Sequence, residues 1–135
     1  MIVIHHSASA SGNVEAFRSW HLQRGWLDVG YHFVICNGRG GADGEVQVGR
    51  SENLVGSHAG NPAPSRNRFS VGICLVGEDS FTPAQIKSLT AKLVELCRKY
   101  RIVPSAATIQ RHHADCPGKG LDLNAIIVEV QRQLK

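Results

Sequence analysis

An apolar run ends on a histidine pair near each end of this chain. Ile2-Val3-Ile4 leads into His5-His6, and Ala107-Thr108-Ile109-Gln110 leads through Arg111 into His112-His113, with Cys116 close behind. Residues 2–5 are short, β-branched and continuously apolar, the pattern of a strand buried on both faces. A fold that lays the two runs side by side joins residues from opposite ends of the sequence. Adjacent side chains on a strand point to opposite faces, so one histidine of each pair can enter a shared site. Two imidazoles and a thiolate make a His2Cys set. Three protein ligands leave one tetrahedral position open, the arrangement of catalytic rather than structural zinc. The same residues also read as turn polars and partly buried, hydrogen-bonded histidines, and residue types alone leave both readings open.

At 135 residues the chain is expected to form one domain spanning 1–135, long enough for a hydrophobic core. With 42% hydrophobic and 19% charged residues, it has a globular balance rather than a disordered one. No segment approaches the roughly 20 apolar residues that span a bilayer, so no membrane insertion is expected. The start reads as a first strand, without the basic region and cleavage site of a signal peptide, which implies synthesis in the cytoplasm. A net charge of +4 and a pI near 9.1 suit a polyanionic partner, whether nucleic acid, an anionic cell wall or a membrane surface. The basic residues are scattered apart from Arg98, Lys99 and Arg101, which read as a solvated helix end. Without a basic tail or an aromatic-interleaved RNA motif, nucleic acid is not the expected partner. Cys36, Cys74 and Cys97 lie in apolar patterns and read as small buried hydrophobes; Cys116 stands apart in a turn-like segment.

The rest of the chain alternates strands and helices. Asn13 is placed to cap a helix carrying Val14, Phe17 and Trp20, and Gly25 suits its C-terminus. Residues 31–36 read as a strand, 37–44 as turn chemistry with Asn-Gly and Asp-Gly signals, and 45–48 as the returning half-exposed strand. The glycines at 38–44 do not form a phosphate loop, because no helix pattern with Lys-Ser/Thr follows. Residues 51–69 form a long irregular segment containing His58, and such loops are more often functional than idle. Residues 70–76 are the clearest buried strand, with Gly72 marking a close backbone approach. Thr82-Pro83-Ala84-Gln85 starts a helix that runs to about Tyr100. Residues 107–110 make a last short strand, and Leu123, Ile126, Ile127, Val130 and Leu134 stripe a C-terminal helix. The order β-α-β-β-loop-β-α-β-α implies an α/β fold, a central mixed β-sheet flanked by helices.

Several segments resemble the zinc-dependent N-acetylmuramoyl-L-alanine amidases of the type 2 amidase and peptidoglycan-recognition family, including short phage lysozyme-type amidases. They are residues 4–8 (Ile-His-His-Ser-Ala), 20–33 (containing Trp-Leu-Asp-Val-Gly-Tyr-His-Phe), 55–59, 70–77, 81–85 and Cys116-Pro117-Gly118. The matches run in order over nearly the whole chain. The resemblance implies a peptidoglycan-recognition/amidase-like domain with zinc in a surface groove. It implies that His5, His112 and Cys116 are the zinc ligands, with His6 and His113 at non-ligand positions. It puts Tyr31 beside the zinc water and the scissile carbonyl, and it implies peptidoglycan as substrate, cut between N-acetylmuramic acid and L-alanine. His58, in the irregular loop, is expected to line the groove or contact the muropeptide, with a loop-stabilising hydrogen bond as the alternative. A monomer is expected, acting on the cell wall after release, as phage or prophage lysis machinery.

One departure bears on mechanism. Family members usually carry a longer loop between the second and third ligands, with a Lys or Thr two residues before the third. Here only His113, Ala114 and Asp115 intervene, and Ala114 takes the assisting position. Lys119 is the expected substitute, with His113 or Asp115 as alternative proton carriers. A non-catalytic peptidoglycan-binding module of the same fold is the alternative function. An added polymerase-regulating role, as in related short phage amidases, has no identifiable surface in the sequence.

Overall fold

The computed structural model describes residues 1–25, 28–58 and 70–135. In chain order these form β1 (Ile2–His6), α1 (Val14–Gln23), β2 (Phe33–Ile35), β3 (Val46–Val48), β4 (Val71–Leu75), α2 (Pro83–Tyr100), β5 (Ile109–Arg111) and α3 (Leu123–Gln133). The strands make one sheet in the order β3-β2-β4-β1-β5. The β2–β3 hairpin is antiparallel and the other pairings are parallel, so the sheet is mixed, as expected.

Side-chain alternation sorts the strand residues between two layers. Ile2, Ile4, Ile35, Ile73 and Leu75 face α2 and α3, where Leu89, Leu93, Ile126, Ile127 and Val130 complete the larger core. Val34, Cys74 and Val76 face the other way and pack with Val14, Phe17 and Val29. His5 alternates onto this second face, in register with Cys74. Cys36, Cys74 and Cys97 are buried free thiols, as their apolar surroundings in the sequence suggested.

The helix starts follow their sequence signals. The Asn13 side chain accepts from the Ala16 N–H at 2.7 Å. Thr82 and Gln85 form a reciprocal capping box, with Pro83 in the first helical turn. Gln85 is fully buried, and its amide also donates to the carbonyls of Ile35 and Val76 at 3.1 and 2.8 Å. That pins the start of α2 to the ends of β2 and β4.

Two expectations shift. Trp20 is 43% exposed, whereas His21 is buried with Val14 and Phe17. At 100° per residue, position i+6 sits well round the helix from i, while i+7 returns to its face. The last strand begins at Ile109, because Ser105–Thr108 is wound into a turn in which the Ile109 N–H donates to the Ser105 carbonyl at 2.9 Å. Among the described residues, no helix is long and apolar enough to cross a membrane.

Candidate metal centre

The pairing of β1 with β5 builds the centre. Ile2, Val3 and Ile4 lie opposite Ile109, Gln110 and Arg111. The ladder continues as the His112 N–H donates to the Ile4 carbonyl at 3.1 Å. The next step of the register sets His5 beside His112, their ring centroids 4.6 Å apart. A tight antiparallel bridge, in which His113 and Cys116 exchange backbone hydrogen bonds at 3.2 and 3.1 Å, then folds the chain back. It returns Cys116 to the two imidazoles, so the short intervening segment still brings both side chains to one place. One ligand atom from each of His5, His112 and Cys116 lies within 4.8 Å of the others.

His5 Nδ1 faces the Cys116 sulfur at 4.0 Å, and that sulfur accepts from the His6 N–H at 3.4 Å. Burial pushes the Cys116 thiol up, partly offset by the His6 N–H and the Arg111 charge. The other nitrogen of His5, Nε2, lies 2.8 Å from His58 Nδ1. His6 is the last residue of β1. Among the described residues its Nδ1 is buried without a hydrogen-bond partner, and burial pushes its ring down.

The three ligand-type residues open into a cleft of about 420 Å³, also lined by Tyr31, His58, His21, Arg24 and His113. Tyr31 stands over His5 at 5.3 Å between ring centroids, and over His21 at 5.6 Å. Its hydroxyl bonds the buried Cys74 thiol. The charge that Cys74 would carry and burial both hold the Tyr31 phenol well above its ordinary range, and burial does the same for Cys74. Both therefore keep their protons at neutral pH. Lys119 does not line this cleft; it faces a separate hollow beside Gln110, Arg111 and Leu121. Arg111 explains the separation, because its guanidinium donates to the carbonyls of Gly118 (2.8 Å) and Leu121 and draws the segment after Cys116 over β5.

The cleft wall is fixed by groups that the sequence carried only inside longer motifs. His21 Nδ1 accepts from the Gly30 N–H at 2.8 Å. His32 Nδ1 accepts from the Gly72 N–H at 3.0 Å, and its Nε2 meets the Leu54 carbonyl at 2.8 Å. Arg50 Nε donates to the Val29 carbonyl, and its terminal nitrogen to the Val55 carbonyl, at 3.1 and 2.7 Å. The α1–β2 and β3–β4 loops are tied in this way to each other, to α1 and to β4. The usable signal for His21 was its place in the Val14-Phe17-His21 stripe; Arg50 offered none.

Residues 1–119 match the N-acetylmuramoyl-L-alanine amidase family. The chain belongs to this family. It is 42% identical over 127 residues to the endolysin of Escherichia phage T7, covering 86% of this chain and 76% of the relative. The structure is similar to that of the N-acetylmuramoyl-L-alanine amidase LysC from Clostridium intestinale, with a TM-score of 0.82 and 35% identity over 96% of this chain and 83% of the other. It also resembles a mutant of Drosophila PGRP-LB solved in complex with tracheal cytotoxin, with a TM-score of 0.68 and 26% identity over 91% and 77% of the two chains. This amidase-family fold thus brings together the three expected ligands, Tyr31 and His58, and leaves Lys119 outside.

Proposed function

We propose that the chain hydrolyses the amide between N-acetylmuramic acid and L-alanine in peptidoglycan, with zinc held by His5, His112 and Cys116. The observation that carries this reading is the convergence of two imidazoles and a thiol within 4.8 Å in a cleft that also holds Tyr31. The donor set suits zinc, which takes His nitrogen and Cys sulfur at about 2.0 and 2.3 Å and leaves a fourth position open in catalytic sites. When bound, zinc would supply Lewis acidity, bringing the pKa of a water to about 7 and polarising the scissile carbonyl.

The protein groups divide the remaining work. Tyr31 keeps its proton through the neutral range and serves as a neutral hydroxyl that orients the reacting groups by hydrogen bonding. The Asp115 N–H donates to His113 Nδ1 at 3.2 Å, so a neutral His113 ring carries its proton on Nε2. His113 lines the cleft and Lys119 does not, which supports His113 as the donor to the developing oxyanion in place of the family's Lys or Thr. Arg24 lines the cleft and, among the described residues, no carboxylate does, a lining suited to the carboxylates of a stem peptide. The endolysin relatives support a lytic role on the cell wall after release, from a phage or prophage.

The test is incubation of the purified protein with cell-wall sacculi. Free L-alanine amino termini are expected to appear, to stop with a chelator and to return with added zinc. Binding to sacculi without release of amino termini, the behaviour of a non-catalytic module, overturns the proposal.

A further inference from the structure

The histidine that the sequence singled out in the long loop does not stand alone in the cleft. His58 Nδ1 lies 2.8 Å from His5 Nε2, and His58 Nε2 lies 3.2 Å from the Ser70 hydroxyl. Both ring nitrogens of His58 are thus engaged by the protein. Its ring is also held in a slot that two glycines leave open. A Cβ on Gly72 would fall 2.4 Å from His58 Cγ, and one on Gly56 would fall 2.6 Å from His58 Cδ2. His58 itself is 6% exposed and meets the His5 ring edge-on at 5.0 Å. The chain has given up side chains on a strand and on a loop to seat this imidazole behind His5.

We infer that His58 and Ser70 form a positioning relay that fixes the tautomer and orientation of His5, so that His5 offers Nδ1 to the metal. This rests on the zinc reading above. Nδ1 is the nitrogen that faces Cys116, so it must present a lone pair, and the His5 proton then sits on Nε2. That N–H donates to His58 Nδ1, and His58 in turn donates from Nε2 to the Ser70 oxygen. A ligating imidazole whose other nitrogen is so engaged is oriented in advance and is a better donor; loss of such a partner typically weakens metal binding 10–100-fold. His58 is therefore a positioning residue and not a substrate contact.

Zinc dissociation constants, measured by chelator competition, test the relay without any turnover assay. His58→Leu is expected to bind zinc 10–100-fold more weakly. His58→Asn keeps an acceptor oxygen near the Nδ1 position and is expected to recover most of the affinity. Nitrogen-15 spectra of the unaltered, zinc-loaded protein give a second readout that does not depend on a variant folding. They are expected to show His5 protonated at Nε2, with that proton protected from exchange. Leu and Asn variants that both bind zinc within twofold of the parent overturn the relay, as does a His5 proton on Nδ1. If the parent protein itself fails to bind zinc, the metal assignment falls instead, so the two failures are distinguishable.

Discussion

At the scale of single residues, the cleft combines candidate ligands that the family resemblance picks out with supports that residue type conceals. His5, His112 and Cys116 were picked out by the family resemblance; residue types alone offered two imidazole pairs and a thiol, which read equally well as turn polars and hydrogen-bonded histidines. The partner of His58 was hidden, because a contact between residues 5 and 58 depends on how a loop crosses the sheet. Gly72 was readable as a close approach; what approaches it was not. Gly72→Ala is expected to force His58 from its slot, lowering stability by about 1–3 kcal/mol through overpacking and weakening zinc binding as well. Urea unfolding and chelator competition on the same variant check both. For the chemistry, Tyr31→Phe is expected to lower kcat on the order of 100-fold with zinc content unchanged. His113→Leu is expected to reduce turnover, and Lys119→Ala to leave it intact. Steady-state release of amino termini from sacculi ranks the three, and a large loss in the Lys119 variant would reverse the assignment of the donor.

At the scale of elements, capping and alternation carried most of the prediction. The α2 start was readable because Thr82, Pro83 and Gln85 each satisfy or remove a free N–H at a helix N-terminus. Thr82→Ala is expected to cost about 1 kcal/mol, seen as a lower urea midpoint with an unchanged slope. Gln85 went further than its sequence signal, since its amide also caps two strand carbonyls in the core. The expectation for β5 was early by two residues because Thr108 is β-branched and looks like strand, while Ser105 competes for it with local side-chain hydrogen bonds. Trp20 was misplaced because the spacing i, i+3, i+6 was read as one face, whereas i+6 lies well round the helix from i.

At the scale of the whole molecule, the sheet faces explain how one layer serves as core and the other as site. Helices α2 and α3 close the first face with aliphatic side chains. The second face carries buried histidines whose environment makes the fold sensitive to acid. Burial is the first cause that pushes both His21 and His32 down from their ordinary value. Their unfolded forms titrate near 6.5, so acid protonates the unfolded chain first. Their contribution to stability is complete above about pH 6.5 and is lost as pH falls through and below it. Urea midpoints of the metal-free protein are expected to decline from about pH 6.5 downward, before the carboxylates titrate. A flat profile down to pH 5 would count against this.

The place of β1 in the sheet has a consequence for how the chain comes together. In chain order the first strand of this sheet, β1, lies between β4 and β5, the last two. Until both arrive, Ile2-Val3-Ile4 has no β partner on either edge, and an unpaired apolar strand is a template for wrong association. Its correct partners lie far along the sequence, which makes their pairing slow. The segment that anchors the finished centre is thus the one that a nascent chain must shield longest.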